Sequence, residues 1–156
     1  MRRKDRSWPL SDALALLDAA EYGVLALDDG EGWPYAVQLS FVSLDGALYF
    51  HSAGEGRKVR ALTRNPRVCF TVTGATRPVY TGDFSTYFQS AMVIGEARLV
   101  TDDEEAYRAL WALAEKYLPE HMDKADKDIK RSFKRTAVYR IAPRIISGKA
   151  KRENPA

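Results

Sequence analysis

The chain predicts a mainly β fold with peripheral helices, and three observations carry that expectation. Apolar and polar residues alternate in short runs, most clearly where Tyr35, Val37, Leu39 and Phe41 interleave with Ala36, Gln38 and Ser40. Turn signals such as Asp28-Asp29-Gly30 and Asp45-Gly46 separate the runs. Strand patterns follow one another directly, with helices inserted singly, so the βαβα rhythm of a doubly wound sheet is missing. A mostly antiparallel barrel or sandwich of about six strands satisfies all three.

Taken in order, Ser11 is a fitting N-cap for a first helix that places Ala13, Leu16, Leu17 and Ala20 on one face. Tyr22 to Leu27 reads as a strand, Tyr35 to Val42 as a second, and Leu48 to Phe50 as a third after the Asp45-Gly46 turn. A short basic helix over roughly Glu55 to Arg64 stops at Asn65-Pro66, because proline disfavours helical geometry in the residue before it. Val68 to Val72 is a fourth strand, and "GATRPVYTGD" reads as a loop. Phe88 to Val100 is a long strand whose Gly95 marks a bulge or bend. Thr101 to Glu104 has capping-box spacing before a helix with a Tyr107, Leu110, Trp111, Ala114 and Leu118 stripe. "MDKADKDIKRSFKR" reads as a weaker, solvated helix, and Ala137 to Ile146 as a last strand in which Pro143 predicts an edge or a bend.

The 156 residues fit one domain spanning 1–156, with flexible ends at 1–10 and 150–156. No apolar run approaches the length of a membrane span, and the basic N-terminus lacks the apolar segment of a signal peptide. The expected location is the cytoplasm. A single cysteine, Cys69, excludes an intrachain disulfide, and its place in an apolar strand predicts a buried small hydrophobe. Two histidines without a cysteine pair argue against a zinc site. The net charge of +3 comes largely from the basic ends, so it does not call for nucleic acid as a partner.

One stretch resists a purely structural explanation. In "LYFHSAGEGRKVRALTRNPRVCF", Arg57 and Lys58 stand at a helix start, where the backbone already carries partial positive charge. A bound phosphate would reverse that conflict, drawing on helix N–H groups, Ser52 and the two cations. Gly54 and Gly56 would allow close backbone approach. The bland alternative is a solvated basic face. The stretch lacks both the GxGxxG of a dinucleotide site and the Walker pattern.

"GALYFHSAGEGRKVRALTRNPRVCFTV" resembles the corresponding segment of the FMN-binding split β-barrel family that includes pyridoxamine 5'-phosphate oxidase, especially its 5-nitroimidazole-resistance branch. "MRRKDR", "YFQSAMVIGEARLVTDDEEAYRALWALAEKY" and "RIISGKAK" extend the likeness over nearly the whole chain. The resemblance implies a six-stranded antiparallel split barrel of the FMN-binding type, working as a homodimer with FMN in a groove between the subunits. It implies that Phe50, His51 and Ser52 line flavin and phosphate, that Arg57 and Lys58 bind the phosphate, and that Val37, Gln38, Leu39 and Ser40 run along the ring. Gln89 and Ser90, and Lys149 near the interface, would complete the cofactor site, some of them from the second subunit. The ring-lining "YAVQLSF" and the tail "YRIAPRIISGKAK" depart from the oxidase proper, which speaks against vitamin-B6 oxidation.

The expected function is therefore that of a flavoprotein reducing small electron-poor compounds, nitroaromatics among them, with a nicotinamide nucleotide as one donor. A non-catalytic flavin store or sensor, and the same fold carrying deazaflavin or haem, are the alternatives. A flavin supplies the redox chemistry itself, so no side-chain nucleophile is needed. His51 is the one catalytic candidate, as a proton donor or anion contact, against the alternative of a strand-end histidine bonded to backbone or cofactor.

Overall fold

A computed structural model describes residues 3–80 and 82–153. Met1, Arg2 and Thr81, which belong to "MRRKDR" and to the predicted loop, lie outside them. The elements are β1 (Ser7–Trp8), α1 (Leu10–Ala19), β2 (Tyr22–Asp28), β3 (Pro34–Ser40), β4 (Val42–Leu44), β5 (Ala47–Ala53), α2 (Arg57–Arg64), β6 (Arg67–Tyr80), β7 (Phe84–Leu99), α3 (Asp103–Tyr117), α4 (Met122–Ser132) and β8 (Thr136–Lys151). All pairings are antiparallel, in the order β3-β2-β6-β7-β8-β5-β4, with β1 added on β8. The sheet curls so that β3 approaches β5 without pairing with it, which leaves the barrel split and β3 with a free edge.

The expected split barrel is present, with eight strands where the sequence pointed to six. The extra ones are β1 and β4, two and three residues long, too short to show a period. The segment read as a loop is strand: β6 runs on through Tyr80 and pairs with β7 from Phe84, so the two form a long hairpin. Glycine, proline and threonine there mask an extended arm. β8 likewise continues past Ile146 to Lys151, and both ends of the chain enter the sheet through the Ser7↔Lys149 and Trp8↔Gly148 pairs.

Gly95 lies at a register shift between β7 and β8, as predicted. A Cβ there would stand 2.2 Å from the Ala142 carbonyl oxygen, so only glycine permits the approach. Pro143 pairs at that same irregularity in a central strand, which makes it a bend and not an edge.

The barrel interior holds Leu25, Phe41, Phe50, Phe70, Val93 and Ile141, with Phe41 and Phe70 edge to face at 4.7 Å. α1 packs on this core through Ala13 and Leu17. It begins after Pro9, so Ser11 sits inside the helix and does not cap it. A second core joins α3 and α4 to Val42, Tyr49 and Val138. The α3 cap is Asp102, whose side chain accepts from the Glu105 N–H at 2.7 Å, one residue later than the sequence indicated. Its buried stripe is Ala106, Ala109, Leu110 and Leu113, with Tyr107 and Trp111 at the flank and Leu118 exposed. Small alanines let α3 lie close to the sheet, which apolar size alone did not reveal. Cys69 is half-buried on the sheet face opposite the barrel core, and burial pushes its thiol above the usual range.

Candidate functional site

Asn65 ends α2, and Pro66 then turns the chain into β6; the start of α2 lies beside the β2–β3 turn. Gly56, before the first helical residue, has φ +118°, a conformation that side chains rarely adopt. That requirement explains Gly56. Gly54 has open space around it and no positive φ, so close approach demands neither glycine.

Arg57 already has a partner. Its Nε donates to Asp29 Oδ2 at 2.6 Å, an Nη contacts the same oxygen, and the Glu31 carboxylate lies 4.0 Å away. The guanidinium covers the Tyr35 ring at 4.4 Å from its centroid. Asp29 is the one buried charged residue among the described residues, with its side chain 2% exposed. The Glu31 N–H on its other oxygen, and then Arg57, lower its pKa. The question posed by two cations at a helix start thus has a partly internal answer, which the sequence did not disclose. Asp29 read as an ordinary turn residue, and nothing in its spacing marks it as buried.

Lys58 is different. It has no salt-bridge partner among the described residues, is half-buried, and stands 5.4 Å from the Phe50 ring centroid. Burial lowers its pKa. His51 lies close by and is exposed: desolvation by the surrounding protein first, and then the Lys58 charge, hold its imidazole below its ordinary value of 6.5. The neutral ring therefore prevails at pH 7.

The strand parity sorts the remaining predicted residues. Leu39 is in the barrel core and Val37 packs against it, so their side chains point away from any ligand on the outer face. Gln38 is exposed and Ser40 half-buried on the other face. Phe50 is fully buried and stacks on Tyr139 at 5.2 Å, a core role in place of a lining one. Ser52 is half-buried and pairs with Ala137.

Ser40 and His51 also border an apolar cleft of about 520 Å³ beneath α3 and α4, floored by Leu113, Tyr117 and Ile129. The Tyr117 hydroxyl receives the Phe41 N–H at 3.0 Å and has the carbonyl oxygens of Glu21 and Phe41 within reach of its single proton. The helical stripe pattern gave no sign of this cleft, because a groove between elements has no signature in one element.

Gln89, Ser90 and Lys149 do not join this group. The Ser90 hydroxyl donates to the Lys149 carbonyl at 3.3 Å, and Lys149 Nζ lies 5.8 Å from the Phe88 ring centroid. Gln89 packs against Gly74. Lys149 pairs with Ser90, whereas Ser52 pairs with Ala137 near the other end of β8. That separation corresponds to about 40 Å of extended strand.

An antiparallel barrel left open beside a basic helix start defines the class: a split β-barrel with a cleft at its unpaired edge. The chain belongs to the pyridoxamine 5'-phosphate oxidase family, whose model matches residues 10–150. The crystal structure of a putative 5-nitroimidazole antibiotic resistance protein from Bacteroides thetaiotaomicron is 27% identical with a TM-score of 0.77, over 90% of this chain and 82% of that one. The flavocytochrome Anf3 of Azotobacter vinelandii is 22% identical with a TM-score of 0.82, over 100% and 74%. A FAD- and haem-binding protein of Mycobacterium smegmatis is 20% identical with a TM-score of 0.75, over 90% and 70%. A search of curated protein sequences returned no match. No helix among the described residues is long and apolar enough to cross a membrane.

Proposed function

We propose that this protein is an FMN-binding flavoprotein that acts as a homodimer and reduces small electron-poor compounds, nitroaromatics among them. The observation that carries the reading is Lys58: a half-buried cation without an acidic partner among the described residues, at the start of α2 and close to His51. A single phosphate suits one such cation and a helix start better than a dinucleotide does. Family membership and relatives named for flavins support the same cofactor class.

The residues present fit the group. The free edge of β3 offers unpaired backbone donors and acceptors to the polar rim of a flavin ring, with Gln38 and Ser40 on the exposed side. When bound, FMN supplies two-electron transfer between a nicotinamide nucleotide and the acceptor. The chain's own part would be to hold the phosphate at Lys58, to offer an apolar cleft to the acceptor, and to offer the neutral His51 imidazole as a hydrogen-bonding partner at the cleft's border.

Two features support a second subunit. Gln89, Ser90 and Lys149 stand far from Lys58 within one chain, and a second copy would bring them to the same cofactor. A row of small and apolar residues also crosses the outer sheet face: Ala36, Ala26, Cys69, Ile94 and Ile145 pair in succession over five strands. Gln38 ends the neighbouring row, through Val24, Thr71 and Met92, so a flavin at Gln38 would lie at the rim of that face.

Titration of the purified protein with FMN, FAD and haem, followed by turnover of NADH or NADPH with a nitroaromatic, tests the reading. Saturable FMN binding with turnover is expected. FMN binding without turnover would leave a flavin store, and exclusive haem binding would overturn the assignment.

A further inference from the structure

Asp29 is too deliberate for a turn residue. It is a carboxylate with 2% of its side chain exposed, in a turn between two strands, where an exposed polar residue is the usual occupant. Both oxygens are committed: one to the Glu31 N–H at 3.0 Å, the other to Arg57. Arg57 in turn is clamped on three sides. Its inner edge meets Asp29, its face lies on Tyr35, and Glu31 stands at 4.0 Å. Even so clamped, the Arg57 side chain is 44% exposed to solvent.

We infer that Asp29 is a positioning residue for anion recognition: it fixes the Arg57 guanidinium so that its outer N–H edge meets the ligand phosphate beside Lys58. The inference rests on the flavin reading and adds to it the source of phosphate discrimination. The pair divides the labour. Asp29 cancels most of the Arg57 charge, so Lys58 and the helix start supply the attraction and Arg57 supplies direction. A buried carboxylate cannot release its only cation without being left uncompensated. Arg57 therefore does not swing from Asp29 to the ligand, and its fork is ordered before binding, which lowers the entropic cost of engaging an anion.

The test compares affinities for FMN and riboflavin, which differ by the phosphate alone, in the wild-type protein and in Asp29→Asn and Arg57→Lys. The wild type is expected to prefer FMN. Asp29→Asn keeps the shape but loses the charged anchor, and should reduce the FMN-to-riboflavin preference about three- to tenfold while riboflavin affinity holds. Arg57→Lys keeps the charge without the planar fork, and should reduce the preference likewise, which supplies the answer if Asp29→Asn does not fold. An unchanged preference would make Asp29 purely structural, and a raised one would make it a competitor of the phosphate. Either result overturns the inference and leaves the flavin reading intact. A wild type that binds riboflavin as tightly as FMN overturns the phosphate site itself, and the inference with it.

Discussion

At the scale of single residues, the two neighbouring cations differ: Arg57 is paired with Asp29, whereas Lys58 has no acidic partner among the described residues. Lys58→Ala should weaken FMN binding by about 1–3 kcal/mol, toward the lower end because the ammonium is only half-buried. Isothermal titration of the variant against FMN checks this, and riboflavin affinity should scarcely move. Arg57→Ala should also lower the melting temperature, because it strips Asp29 of its cation. His51 gives a pH signature. Its folded pKa lies below the unfolded one, so the unfolded chain binds the proton more readily. Stability is unaffected by this group above the unfolded pKa and falls as pH drops through it toward the folded value. Urea melts at about pH 7.5 and about pH 5.5 should show a smaller acid-side loss in His51→Gln than in the wild type. Equal losses would place the titration elsewhere.

Among the elements, α3 hangs on a local signal. Asp102→Ala removes the cap on the Glu105 N–H and should cost about 0.5–2 kcal/mol, read as a shift in the denaturant midpoint with unchanged slope. Gly95→Val should cost more than the cap, since the Ala142 carbonyl would have to move. Such local features were the most legible part of the sequence: alternation located β3, the Asp45-Gly46 turn located the start of β5, Asn65-Pro66 located the end of α2, and Gly95 announced its bulge. What stayed hidden was tertiary. The hairpin arm reads as a loop because strand pairing, not propensity, holds it extended. Phe50, Val37 and Leu39 sit in a stretch resembling a ligand strand, yet strand parity turns their side chains inward. Asp29 and the cleft at Tyr117 arise only when distant segments meet.

For the molecule as a whole, the proposed cofactor site needs a second copy. Ile94→Lys places a charge in the middle of the outer apolar row, where Ile94 is 42% exposed and flanked by Cys69 and Ile145. Sedimentation should show the wild type as a dimer and the variant as a monomer that retains its fold and loses flavin. A variant that remains dimeric would move the interface to another face. The family match and the split barrel set the architecture, and the proposed phosphate contact at Lys58, which has no acidic partner among the described residues, is what would tie it to a phosphate-bearing flavin. The absorbance spectrum of the protein as purified, with the released cofactor identified by mass, tests that tie most directly. The account predicts oxidised flavin bands and FMN in the supernatant after denaturation. A colourless protein that stays colourless through an FMN titration, or one showing only a haem Soret band, would contradict it.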